Sequence, residues 1–259
     1  MHGRPTSLDK EPEVSLPGIL SLTGGGGKTT LLFALGRAFA AAGHGVLATT
    51  TTRMYKPSPD PGMAVALTED PASLAAPANG FLFAARNPPP GGNTAKVYGY
   101  APEVADALLS RSAAPHIIVE ADGAAGKPLK APAAHEPVIP GTTRAVIALV
   151  GLSCFLAPFG PKTVFRPERV TAITGLHPGD AVTPGAIAAL AAHPEGLFKN
   201  TPPGASRILF CNQADLPGAR DAANALAAIL AREHPGFLRG LYLGSLRKDG
   251  LECRSMPAT

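Results

Sequence analysis

The chain has 259 residues, enough for one full α/β core, with 45% apolar and 16% charged residues. A net charge of +4 suits anionic ligands, but there is no Trp, aromatics are 5% and no dense Lys/Arg run occurs, which argues against a base-stacking nucleic-acid groove. Cys154, Cys211 and Cys253 stand far apart, against a disulfide frame or zinc site and in favour of a reducing, cytoplasmic compartment; no membrane-spanning apolar run or signal-peptide core is read.

Residues 1–15 read as a flexible, polar lead-in. An apolar run at 18–22 predicts the first strand, and a helix is expected over 28–42, stopped by Gly43-His44-Gly45. Residues 46–52 read as a buried strand whose end turns polar. Residues 57–100, rich in Pro and Gly, predict an irregular insertion with strand-like pieces at 64–67 and 81–85. A helix at 102–111 leads into a strand at 117–119; 123–143 reads as a long loop and 145–150 as a strand. Residues 153–205 read as helix and loop, with a helix at 184–192. A strand at 208–211, a helix at 217–232 and a strand at 238–243 complete the alternation. Strands alternating with helices predict a three-layer α/β fold with a mostly parallel sheet, one domain over residues 16–259.

Between the first strand and helix stands Gly24-Gly25-Gly26-Gly27-Lys28-Thr29-Thr30. Strand, glycine loop and helix in that order bind polyphosphate. The glycines let the backbone curl and turn N–H groups toward phosphate oxygens, and the helix dipole favours the anion. Lys28 is expected to reach the β/γ-phosphates and the Thr29 hydroxyl to sit on Mg²⁺. Leu22 departs from the common pattern, which has Gly six residues before the Lys. Thr29 stands where a dinucleotide-binding loop needs its third Gly, which argues against an oxidoreductase.

Two strand ends carry further chemistry. Glu120 and Asp122 follow the strand at 117–119, on one side by alternation, where open α/β sheets bind ligands. One acid is expected to hold the Mg²⁺ shell and the other to orient an attacking water, with no basis for assigning which. Asn212-Gln213-Ala214-Asp215 is similar to the Asn-Lys-x-Asp element of GTPases, with Gln213 in place of Lys. An Asp carboxylate accepts from guanine N1–H and the 2-amino group, and adenine offers neither donor. Asn212 can bond the base's other edge and tie neighbouring loops. GTP is thus slightly favoured over ATP. Thr52, Arg53, Lys127 and Lys130 are candidates for substrate or anion contacts. His135-Glu136 reads as structural, and Arg166 and Glu168 either approach the γ-phosphate or pair with each other.

Gly24–Thr30, Thr49-Thr50-Thr51-Thr52-Arg53-Met54, Val119–Pro132, His135–Pro140, Arg166-Pro167-Glu168 and Asn212–Asp215 together resemble the YqeC family, accessory proteins of selenium-dependent molybdenum hydroxylases. The likeness covers about residues 18–216. It implies a P-loop protein that uses GTP or ATP with Mg²⁺, as an NTPase, in maturation or cofactor insertion of such a hydroxylase. The hydroxylase or its cofactor-maturation proteins are the implied partners; no nucleic acid or membrane is expected, and a homodimer is open. Glu120-x-x-Gly123 with Asn212-x-x-Asp215 is also similar to GTPases that deliver metals, in which the strand-end Glu belongs to the magnesium site. Their Cys/His metal motifs are missing here. Two alternatives stand beside the NTPase: a small-molecule kinase or ligase with its acceptor near Lys127, Lys130 and His135, and a non-hydrolysing binder of a nucleotide-bearing molybdenum cofactor.

Overall fold

A computed structural model describes residues 4–58 and 60–256. The chain enters through β1 (Arg4–Ser7), a 3-10 turn and α1 (Pro12–Ser15), then β2 (Gly18–Gly24) and α2 (Lys28–Ala41). There follow β3 (Val46–Thr50), β4 (Arg53–Tyr55), β5 (Ala64–Leu67), β6 (Phe81–Ala85), β7 (Lys96–Tyr98), α3 (Pro102–Ser110) and β8 (His116–Glu120). Next come β9 (Leu129–Lys130), β10 (Thr143–Gly151), β11 (Val164–Phe165), α4 (Pro167–Thr174) and α5 (Pro184–Ala192). The chain continues through β12 (Ser206–Asn212), α6 (Ala219–Glu233), β13 (Gly240–Gly244) and β14 (Glu252–Met256).

Ten strands form one sheet in the order β1-β14-β13-β12-β10-β2-β8-β3-β6-β5. All neighbours from β13 to β5 run parallel; β14 and β1 are antiparallel. The central strands read as unbroken apolar runs because both faces are covered. Alternation sorts them: Leu20, Leu22, Ile118, Ile147 and Leu149 pack with α2 on one face. Ile117 and Val119 face α3, and Val146, Ala148 and Val150 face α4 to α6, on the other. This is the expected three-layer α/β fold. From β2 the chain first builds outward on the β8 side, then on the β10 side. That reversal opens a crevice at the carboxyl end of β2. Among the described residues no helix is long and apolar enough to cross a membrane.

Where a loose lead-in was expected, residues 4–15 are built into the domain; residues 1–3 lie outside the described residues. β1 pairs with β14, and Leu8 and Val14 are fully buried. The buried Glu11 carboxylate accepts hydrogen bonds from Arg4, Thr6 and Tyr242, the last at 2.9 Å. The insertion at 57–100 is more regular than expected: β5 and β6 extend the main sheet, while β4 and β7 pair as a separate antiparallel ribbon. The loop at 123–143 contains β9, paired with β11.

At the opposite end of the sheet from the crevice, His116 opens β8 fully buried, stacked on Phe39 at 4.4 Å. Neither ring nitrogen has a hydrogen-bond partner. Burial, then the nearby His44 and Arg144, pushes its pKa down to about 4.

Candidate functional site

β2 ends in the glycine loop that opens α2. Close backbone approach demands glycine here: a Cβ on Gly26 (φ 82°) would stand 2.4 Å from Gly151 N, and one on Gly27 (φ 133°) 2.6 Å from Asn212 Nδ2. Three amides of the loop are bonded within the protein. Gly24 N–H donates to Asp122 Oδ2 (3.1 Å), Gly25 N–H to Leu149 O (2.9 Å) and Gly26 N–H to Lys127 O (3.0 Å). The expected cradle of four glycine amides is therefore narrower. The first helical bond closes from Leu31 N–H to Gly27 O (2.9 Å), so the N–H groups of Lys28, Thr29 and Thr30 open α2 without intrahelical partners. That first turn, with the helix dipole behind it, has the donors and the polarity that suit an anion.

Lys28 folds back onto its own loop. It is buried, donates to Gly24 O at 2.5 Å and faces Asp122 Oδ1 at 3.2 Å. Asp122 Oδ2 lies 3.0 Å from the Lys130 ammonium. Lys130, fully buried, donates to Glu136 Oε2 (2.7 Å) and Gly123 O (2.6 Å). Glu136 receives both arms of the Arg166 guanidinium, at 2.6 and 3.2 Å. Alternating charges thus run from the loop lysine to the start of α4. Burial alone would raise the Glu136 carboxyl; hydrogen bonds from Arg166 and Lys130 outweigh it and hold the group at about 2.

This arrangement corrects three expectations. Asp122, expected at the metal or beside an attacking water, is 1% exposed beneath the loop, engaged by Gly24, Lys28 and Lys130, and is not among the residues that line the cleft. Lys130, expected as an anion contact, is fully buried between two carboxylates and is not among the residues that line the cleft. Arg166 pairs with Glu136 rather than Glu168.

Glu120 does reach the crevice. Thr29 Oγ1 donates to Glu120 Oε2 at 2.8 Å. Burial raises the Glu120 carboxyl above its ordinary value, opposed by Lys28 and Thr29. A hydroxyl and a carboxylate at the foot of that turn are hard oxygen donors of the kind that magnesium takes. Among the described residues no cluster of three His, Cys, Asp or Glu stands ready to hold a metal alone.

Across the loop, Asn212 Nδ2 donates to Gly26 O (2.7 Å), and its Oδ1 accepts from Gln213 N–H (2.8 Å) and Leu246 N–H (3.0 Å). Its amide ties the neighbouring loops together, as expected, at the lining of the cleft. Gln213, at φ 72°, accepts from Ser153 N–H through Oε1 (3.0 Å) and braces the end of β10. Asp215 is exposed at the rim and accepts a hydrogen bond from Ser245. That bond, then its own backbone N–H and the Lys248 charge, holds its carboxyl below the usual carboxylate range.

All these surfaces open on one cleft of about 1200 Å³ along the carboxyl ends of the parallel strands. Thr52 and Arg53 line it just past β3. Lys127 lines it too, with its ammonium donating to Lys162 O at 3.0 Å. Seven Lys or Arg side chains line the cleft against three carboxylates, so its potential favours anions.

The sequence matches the family described as "YqeC protein" over residues 20–168. The chain belongs to the YqeC family. A YqeC relative from Escherichia coli (strain K12), described as "Uncharacterized protein YqeC", is 40% identical over 202 residues, 76% of each chain. The stretch matched to YqeC takes in the glycine loop, Glu120, Asp122 and the charge chain as far as Arg166; Asn212 and Asp215 lie beyond it. The Glu136–Arg166 pair escaped sequence reasoning. Its signal was two charges, Lys130 and Glu136, in an otherwise apolar, proline-rich stretch that had to bury them.

Proposed function

We propose that this YqeC protein is a cytoplasmic Mg²⁺-dependent nucleoside-triphosphate-binding protein, a P-loop NTPase with GTP ahead of ATP. In this reading it assists maturation or cofactor insertion of a selenium-dependent molybdenum hydroxylase. One observation carries the nucleotide reading: Thr29 Oγ1 and Glu120 Oε2 meet at 2.8 Å beside the open first turn of α2. The N–H groups of Lys28, Thr29 and Thr30 take phosphate oxygens, and Lys28 supplies the positive charge. Thr29 and Glu120 hold magnesium, which when bound neutralises phosphate charge. Asp122 positions Lys28 from below, at 3.2 Å. The ionised Asp215, braced by Ser245, supports guanine at the rim. The hydroxylase link rests on the family resemblance.

A second reading, binding without hydrolysis, is favoured by the burial of Asp122: no second strand-end carboxylate is left beside Glu120 to orient a water. The ligand would then be a nucleotide or a nucleotide-bearing molybdenum cofactor. Titration with GTP, ATP and CTP, with and without Mg²⁺, followed by phosphate-release assays on wild type and Lys28→Ala, separates the readings. Tight Mg²⁺-dependent binding with phosphate release that Lys28→Ala abolishes supports the first. Binding without turnover, alone or with the hydroxylase added, selects the second. Equal affinity for ATP and GTP removes the role given to Asp215.

A further inference from the structure

The phosphate turn occupies one end of the cleft; the β4/β7 ribbon walls another part. Register sorts the ribbon's side chains. Arg53 stands opposite Tyr98 and Tyr55 opposite Lys96, so these four share one face, while Met54 and Val97 fill the other and are buried. All four line the cleft. The Arg53 guanidinium lies 5.9 Å from the Tyr98 ring centre and the Lys96 ammonium 5.2 Å from that of Tyr55.

The ribbon is held in place. Gly99 N–H donates to Thr52 O (2.6 Å), Tyr100 N–H to Thr50 O (3.1 Å), and Arg86 exchanges backbone bonds with Tyr98 (2.8 and 3.1 Å). A Cβ on Gly99 would sit 2.4 Å from Thr50 O, so the ribbon lies against the end of β3. Yet Tyr55 is 71% exposed, and among the described residues neither Arg53 nor Lys96 has a carboxylate partner. Further along the cleft, the Arg166 guanidinium lies 4.4 Å from the Phe165 ring centre. A face with one exposed and one half-buried ring, each with a cation over one side and no carboxylate partner for that cation, suits a flat, negatively charged molecule. The cleft, at about 1200 Å³, exceeds the roughly 300–1,000 Å³ of single-ligand pockets and leaves room beside a nucleotide.

We infer that the β4/β7 ribbon is a second ligand site, taking a small planar heterocycle that carries a phosphate or carboxylate and is bound together with the nucleotide at the glycine loop. The ribbon site stands on its own residues and does not depend on which nucleotide the loop takes. Stacking supplies the ring contact through Tyr55 and Tyr98, and Arg53 and Lys96 hold the anion.

Flavin mononucleotide is a suitable probe, a fused-ring phosphate whose fluorescence is quenched on stacking. It is titrated into the full chain with and without saturating GTP and Mg²⁺, and GTP is titrated separately so that the two sites are read independently. The expected result is quenching that persists with GTP present. It should weaken about tenfold in Tyr55→Ala/Tyr98→Ala and by a similar factor in Lys96→Met, with far-UV circular dichroism confirming the fold. Riboflavin, without the phosphate, and ribose 5-phosphate, without the ring, should each bind at least about tenfold more weakly. Displacement of the flavin by GTP overturns the inference by making the ribbon part of the nucleotide site. Absence of quenching, or quenching indifferent to the ribbon variants, overturns it as well.

Discussion

Replacing Lys130 with Met probes the buried charge chain at its centre. The side chain is fully buried between Asp122 Oδ2 (3.0 Å) and Glu136 Oε2 (2.7 Å). Glu136 is held at about 2 against an ordinary 4.5. At about 1.4 kcal/mol per unit, its hydrogen bonds and ion pairs stabilise the fold by about 3 kcal/mol, shared between Arg166 and Lys130. Breaking one partner of a buried pair costs roughly 3–5 kcal/mol. Arg166 still serves Glu136 and Lys28 still serves Asp122, so the expected loss is near the lower end, about 3 kcal/mol. The pH dependence follows in sign. A carboxyl whose folded pKa is depressed stabilises the protein above its unfolded value and loses that stabilisation as pH falls through the folded one. The gap between wild type and Lys130→Met should therefore narrow as pH drops from about 4.5 toward 2. Urea unfolding of both proteins at pH 7 and at pH 3 measures it. A loss under about 1 kcal/mol at pH 7, or a gap unchanged at pH 3, would refute the reasoning.

Three further outcomes are expected. His116, pushed down to about 4 from 6.5, favours the folded state above pH 6.5 and gives up that advantage as pH falls toward 4, on the order of 3 kcal/mol in all. Thermal melts should show that slope in wild type and a flatter one in His116→Phe. Glu120→Gln removes the charge beside Thr29 and should weaken Mg²⁺-dependent nucleotide binding by about 10- to 100-fold, while binding without Mg²⁺ changes much less; calorimetry reads both. Asn212→Ala unties Gly26 O, Gln213 N–H and Leu246 N–H and should lose about 1–3 kcal/mol in denaturant unfolding.

The parts legible in the sequence were those whose burial is two-sided or whose turn is dictated by backbone approach. The runs at 117–119, 145–150 and 208–211 read as buried strands, and four glycines before Lys28 read as a tight loop into a helix. Strand parity placed Glu120 and Asp122 together, but β8 ends at Glu120 and the chain then turns beneath Gly24. Parity stops informing where the strand stops, and so it missed that the two acids have different neighbours. Lys130 reads as a loop lysine open to an anion until the folded chain brings Asp122 and Glu136 to it. β1 was hidden for another reason. Arg4-Pro5-Thr6-Ser7 has no apolar alternation, because it is an edge strand held by a partner at 252–256.

That edge has a consequence for how the chain is made. β1 is synthesised long before β14, the strand it pairs with, and before Tyr242, which caps Glu11. The glycine loop after β2 can be closed once Asp122, Lys127 and Leu149 have been made, while β1 still has no strand beside it. Only when β14 arrives, antiparallel to β13, is the first segment of the chain fastened.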